Sequence, residues 1–380
     1  MKIGITCYPT YGGSGVVATE LGIELAQRGH QVHFISYAQP IRLTSPQPNI
    51  HYHEVEVSTY PLFDYAPYAL ALASRMAEVA EIYELDLLHV HYAIPHSVSA
   101  FLAKEMMARS GQPRRLPFVT TLHGTDITLV GADRSYLPIT RFSIEQSDGV
   151  TAISDYLRER TIREFAVGKP IQVISNFVNC DLYRRDPEVG AHRSEFAAAD
   201  ERLLVHLSNF RPVKRIGDVI EIFDRVQKQV PARLLLIGDG PDRPMAEWLA
   251  HDKGITDRVI FMGKQDQVHE KLAVADLMLL PSQLESFGLA ALEAMASEVV
   301  PVATRVGGLP EVVEDGVTGF LCEVGDVDAM ASAAIGLLSD EPRLRAMGKQ
   351  ARRAAQARFC STRIIPQYED FYRCVLERTS

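Results

Sequence analysis

The chain has 380 residues, enough for two domains of ordinary size, and its 47% hydrophobic and 23% charged residues are those of a globular protein. The net charge of −9 argues against general nucleic-acid binding, and no apolar run reaches the roughly 20 residues that cross a bilayer. Met1-Lys2 leads into a strand-like run instead of a signal peptide, and the five cysteines (Cys7, Cys180, Cys322, Cys360, Cys374) are odd in number with no CxxC pair. A cytoplasmic protein with reduced thiols, no structural metal, no cofactor and no stable membrane association is expected. The sequence leaves self-association open, a homo-oligomer included.

In the first half, short apolar runs alternate with helical patterns. Strands are expected at Ile3–Cys7, Val32–Ser36, Leu87–His91, Phe118–Leu122, Val150–Ile153 and Ile171–Ile174. Helices are expected at Val16–Arg28, Tyr68–Tyr83, Ser97–Arg109 and Asp155–Phe165. This order is the signature of βαβ units and a parallel sheet. Gly12-Gly13-Ser14-Gly15 follows the first strand and opens the first helix, where bare backbone and a helix N-terminus favour an anion. The spacing is not GxGxxG, and Ser36 stands where a dinucleotide site would want an acid at the end of the second strand. The partly apolar stretch Tyr60–Glu84 carries Asp64, Glu78, Glu81 and Glu84 against one Arg75. A membrane-surface helix would be basic, so this one is expected to pack on protein. His89 and His91 share one strand face, but no carboxylate or cysteine joins them to make a metal set. Arg109, Arg114 and Arg115 read as a solvated loop, and His123 in Thr121-Leu-His-Gly-Thr-Asp126 is a candidate for a sugar hydroxyl.

A second series follows the polar stretch Arg184–Glu201, with strands expected at Leu203–Leu207, Arg233–Ile237, Val259–Met262, Leu277–Leu280 and Val300–Ala303. Arg211-Pro-Val-Lys214 sets two cations after its first strand, placed to neutralise a departing phosphate. Gly238-Asp-Gly-Pro-Asp242 and Gly307-Gly308 read as turns shaping a pocket wall. The densest segment is Pro281-Ser-Gln-Leu-Glu285-Ser-Phe-Gly288-Leu-Ala-Ala-Leu-Glu293. A buried strand runs into a helix opening near Phe287, so free amides face an anion between two carboxylates. Glu293 would stand about 12 Å along the axis from Glu285 were the rise helical throughout. The last segment, Ser361–Arg378, reads as a terminal helix carrying Tyr368, Phe371 and Tyr372. Two domains are therefore expected, residues 1–170 with the 361–380 helix packing back on them, and residues 171–360.

Taken together, these motifs resemble the retaining glycosyltransferases of the GT-B fold, the family of glycogen and sucrose synthases. That resemblance implies an α/β architecture of two facing Rossmann-like, doubly wound parallel-sheet domains with an interdomain cleft. It further implies that Glu285 contacts the donor sugar, Glu293 holds the ribose hydroxyls, and the Phe287, Gly288 and Leu289 amides meet the donor. Asn209 stands where the family's phosphate-binding arginine usually lies, five residues before the lysine, while Arg211 stands only three before Lys214.

Lys2–Pro9, Gly12–Gly15, His91-Tyr-Ala-Ile-Pro-His96, Thr121–Asp126 and Ser208–Arg215 resemble more narrowly the members that move N-acetylglucosamine from UDP-N-acetylglucosamine to the hydroxyl of L-malate, the first step of bacillithiol biosynthesis. On that resemblance Glu285, His123, Lys214 and Arg211 are the catalytic set, with Gly13, Asn209, Phe287, Gly288, Leu289 and Glu293 on the donor. Ser14, flanked by the Gly13 and Gly15 amides, would take one carboxylate of the acceptor. Arg141 would take the other, with Tyr92, Thr121 and Asn176 completing the pocket. Competing readings are a transferase with another acceptor such as inositol phosphate, a UDP-sugar epimerase of the same fold, and a nucleotide-sugar sensor.

Overall fold

The computed structural model describes residues 1–10, 12–43, 47–57, 66–109, 115–128, 130–131, 133–185 and 191–379. Tyr60, Asp64 and Arg114, named above, lie outside the described residues. The chain forms two compact units: Met1–Ser175 with Ile364–Ser380, and Asn176–Arg363.

The first unit is a parallel sheet of seven strands, β1 (Lys2–Thr6), β2 (Gln31–Ser36), β3 (Ile50–Glu54), β4 (Leu87–His91), β5 (Phe118–Leu122), β6 (Gly149–Ala152) and β7 (Gln172–Val173), in the order β3-β2-β1-β4-β5-β6-β7. Every residue of β4 and β5 is buried, as central strands covered by helices on both faces require. Helix Tyr68–Tyr83 turns Leu72, Met76, Val79 and Ala80 into this core, as expected of a helix that packs on protein. The terminal helix Ser361–Thr379 buries Tyr368 and Tyr372, and the Tyr372 hydroxyl meets His89 Nδ1 at 2.7 Å. Glu369 on the same helix takes Arg28 and His30.

The second unit repeats the plan with β8 (Arg202–Leu207), β9 (Ala232–Ile237), β10 (Val259–Gly263), β11 (Leu277–Leu280), β12 (Val300–Thr304) and β13 (Phe320–Cys322), in the order β10-β9-β8-β11-β12-β13. Helix Ile216–Gln227 buries Ile216, Val219, Ile220, Phe223 and Val226, a stripe at helical period that seals one face of the sheet.

Two strands are absent from the sequence reading. β3 is a sheet edge whose His-Tyr-His alternation lacks the apolar run of a buried strand, and His53 is buried by pairing its Nε2 with His33 Nδ1 at 2.9 Å. β13 has three residues and also lies at an edge, too short for periodicity to register. Both sheets are doubly wound, and the order of strand addition reverses between β1 and β4 and again between β8 and β11. Ligands of such sheets bind beyond the strand carboxyl ends at those points.

Candidate active site

In the second unit the loops after β8 and β11 meet through two side chains. Lys214 Nζ stands 2.6 Å from Glu285 Oε1, which also accepts from the Ser282 hydroxyl at 2.8 Å. Both bonds fall on Oε1, so Oε2 has no partner among the described residues. Lys214 closes the short helical turn Pro212–Lys214, whose amide bonds Arg211 O at 2.8 Å. Phe210, just ahead of it, is fully buried with φ at +39°, and its carbonyl accepts from Asp242 N at 3.0 Å. Beneath the loop, His206 is spent on Leu279 O and Ser208 Oγ, and burial lowers its pKa to about 4, so it stays neutral.

Gly288 caps the helix Leu289–Ala296 with φ at +99°, a backbone region that side chains avoid. The helix therefore opens two residues after the expected Phe287. Phe287 itself is buried and packs edge-on against Phe359 at 5.6 Å, which leaves only its backbone for a ligand. Leu289 is half-buried, and the amides of the first turn lack helical partners. Glu293, 5% exposed, accepts at Oε1 from the Tyr183 hydroxyl at 2.7 Å. Asn209 holds its Oδ1 enclosed and unpaired, while Arg211 is exposed with no ion-pair partner among the described residues.

The first unit bridges its own switch point in the same way: Ser14 Oγ, on the first turn of the helix that follows β1, lies 2.7 Å from the Tyr92 hydroxyl after β4. Gly15 is the glycine that geometry requires here, because a Cβ would lie 2.5 Å from Tyr8 O; the close approach is to the protein's own backbone. Gly13 begins the helix Gly13–Gln27 and is exposed. Tyr92 carries φ at +86°, a strained setting of the kind that collects at functional sites. Asp126, which had been given no role, holds this turn. Its carboxylate accepts from Ala93 N at 3.0 Å, Gly124 N at 2.9 Å and His123 N at 3.3 Å. Burial pushes its pKa up to about 6 despite those three donors.

His123 lies 2.7 Å from His91, Nε2 to Nδ1, and burial lowers the His123 pKa to about 3. The Thr121 hydroxyl is enclosed between His89 Nε2 and Thr151 Oγ1, both at 2.7 Å, and its carbonyl accepts from Tyr92 N at 2.9 Å, so the sheet occupies both. His89 is thus occupied by Thr121 and Tyr372. Arg141 is exposed on helix Leu137–Gln146, and Glu145, its neighbour one turn on, accepts from Gly168 N at 2.7 Å. Asn176 is the first residue of the second unit, buried with Oδ1 unpaired.

Sequence reasoning missed Ser282, Asp126 and Tyr183. Ser282 and Asp126 lie within motifs that had been singled out, and a short polar residue three positions from a key loop group is the signal that marks both. Tyr183 is 110 positions from Glu293, and nothing local announces it.

Residues 191–354 match the family model described as glycosyl transferases group 1, and residues 11–182 match that of glycosyltransferase family 4. The chain belongs to the group 1 glycosyltransferases, and its two parallel-sheet α/β units are those of the GT-B fold. It is 51% identical over 99% of its length, and 97% of the relative's, to N-acetyl-alpha-D-glucosaminyl L-malate synthase of Bacillus anthracis. D-inositol 3-phosphate glycosyltransferase of Nocardia farcinica is 28% identical, over 90% of this chain and 80% of that one. Among solved structures, Anabaena HepE with UDP and glucose shares the fold with a TM-score of 0.81 at 21% identity, covering 97% of this chain and 98% of that one. Sucrose-phosphate synthase from Thermosynechococcus elongatus shares it with a TM-score of 0.79 at 23% identity over 100% of both chains.

Proposed function

We propose that this enzyme transfers N-acetylglucosamine from UDP-N-acetylglucosamine to the hydroxyl of L-malate with retention at the anomeric carbon, the first step of bacillithiol biosynthesis. The observation that carries this reading is the 51% identity spanning 99% of the chain and 97% of a malate synthase of that kind. In this reading the second unit takes the donor. Lys214 and Arg211 neutralise the diphosphate as its bond to the sugar breaks, helped by the amides ahead of Leu289. Glu285, with Oε1 held by Lys214 and Ser282, offers Oε2 to a sugar hydroxyl. Glu293, oriented by Tyr183, takes the ribose.

Both glutamates are thereby engaged in binding, so attack comes from the face the nucleotide leaves, with the departing phosphate oxygen taking the malate hydroxyl proton. On the first unit the Ser14 hydroxyl and the amides beside it take one malate carboxylate, and Arg141 takes the other. The free thiols of all five cysteines suit a reducing compartment such as the cytoplasm.

The test is incubation with UDP-N-acetylglucosamine, with and without L-malate, following UDP release and the glycoside formed. Release dependent on malate supports the reading, and release indifferent to malate overturns it. Arg141→Ala should raise the malate KM more than the donor KM; the opposite pattern would reject its acceptor role.

A further inference from the structure

We propose that His91 is a positioning residue that fixes His123 in the tautomer presenting Nδ1–H to a substrate oxygen. The contact is His91 Nδ1 to His123 Nε2 at 2.7 Å, between two imidazoles that are both enclosed in the first unit. Burial keeps both neutral: it lowers His123 to about 3, and burial together with the histidines around it holds His91 well below the usual imidazole range. Between two neutral rings only one proton lies on that line.

If His123 donated from Nε2, the single proton of His91 would sit on its own Nε2. That atom is enclosed and has no partner among the described residues. An enclosed N–H without an acceptor is the rarer and costlier orphan. If His91 donates from Nδ1, its Nε2 is a bare lone pair and no N–H is stranded. His96 shows that the fold tolerates such a lone pair next door. Its Nδ1 lies 2.6 Å from His91 O, a carbonyl that can only accept, so His96 carries its proton on Nδ1 and leaves Nε2 bare, enclosed and unpaired.

With Nε2 accepting, His123 carries its proton on Nδ1. That nitrogen has no protein partner among the described residues, His123 keeps 7% exposure where His91 has none, and its ring stands beside that of Tyr92 with centroids 5.3 Å apart. It is therefore a neutral donor matched to a hydroxyl or carboxylate oxygen. The identity of that oxygen rests on the transferase reading; the tautomer does not.

The decisive measurement uses the whole protein with 15N-labelled histidine and no substrate, His123 being assigned by loss of its signals in His123→Gln. A protonated-type Nδ1 and a bare-type Nε2 are expected, and the reverse pattern, or shifts averaged between the two, overturns the proposal. Initial rates supply a second readout. His91→Asn can place an amide donor near the Nδ1 position and should keep kcat within about threefold, whereas His91→Leu should lose about tenfold or more. Equal losses in the two variants would reduce His91 to a packing residue and overturn its positioning role.

Discussion

Lys214 Nζ and Glu285 Oε1, 71 positions apart in the chain, are joined at 2.6 Å across the β8/β11 switch point. The cation of the leaving-group site and the carboxylate of the sugar site are thus held by one another. Lys214→Met removes a preorganised positive charge and should lower kcat by about 100- to 1,000-fold. UDP release at saturating donor and malate measures it, and a kcat within about twofold of the parent would remove Lys214 from the chemistry.

Tyr183 is expected to act on donor binding through Glu293. Its hydroxyl bonds a carboxylate that is 5% exposed, and a bond to a charged acceptor in such a place contributes about 1.5–3 kcal/mol. Tyr183→Phe should therefore raise the KM for UDP-N-acetylglucosamine by about tenfold or more with little change in kcat or in the malate KM. A fall in kcat at unchanged donor KM would contradict this assignment.

Acid should weaken the protein chiefly through its buried histidines. His89 and His123 are lowered to about 3, and His96 and His206 to about 4, all by burial. A base whose folded pKa is depressed binds fewer protons than the unfolded chain between the two values. Its contribution is complete above pH 6.5 and is lost as the pH falls toward the folded pKa. At pH 5 each such histidine should cost roughly 2 kcal/mol relative to pH 7.5. Asp126, raised to about 6, works in the opposite direction, because its folded form gains a proton first; it offsets only about 1 kcal/mol over that range. Urea midpoints followed by circular dichroism should fall steeply between pH 7.5 and 5, and a flat profile would show the imidazoles to be solvated.

Gly288→Ala should destabilise the second unit by about 1–2 kcal/mol through the left-handed backbone alone. The added methyl would also meet the buried Leu309 side chain at 2.5 Å. Calorimetry should record a lower transition temperature, and an unchanged value would mean that the turn before Leu289 relaxes at no cost.

The fold was largely readable because a parallel sheet writes itself as short apolar runs. Leu87–His91, Phe118–Leu122 and Leu277–Leu280 have the expected boundaries, each strand being enclosed on both faces. β3 was not readable, because an edge strand answers to solvent on one side and its Ile-His-Tyr-His-Glu carries no such run. At the site, Glu285, Gly288 and Glu293 stood out because strand, turn and helix follow one another within thirteen positions or so. The Tyr183–Glu293 and Lys214–Glu285 bonds did not, since long-range pairing leaves no local periodicity. Nor did Asp126, whose partners are three backbone amides that no residue type announces.

The chain leaves the first unit after Ser175 and re-enters it at Ile364, so the second unit is an insertion within the first. Its two ends are stitched together, Val178 N to Phe359 O and Ser361 N to Val178 O, both at 3.0 Å. The two halves therefore differ as genetic parcels. Residues 176–363 form one contiguous reading frame with its ends already joined, ready for excision or exchange with another member of the family. The first unit has no such cassette: any graft of it must carry two separate pieces of gene, and a stop codon before Tyr368 would strip the partner of His89 from a sheet more than 270 positions upstream.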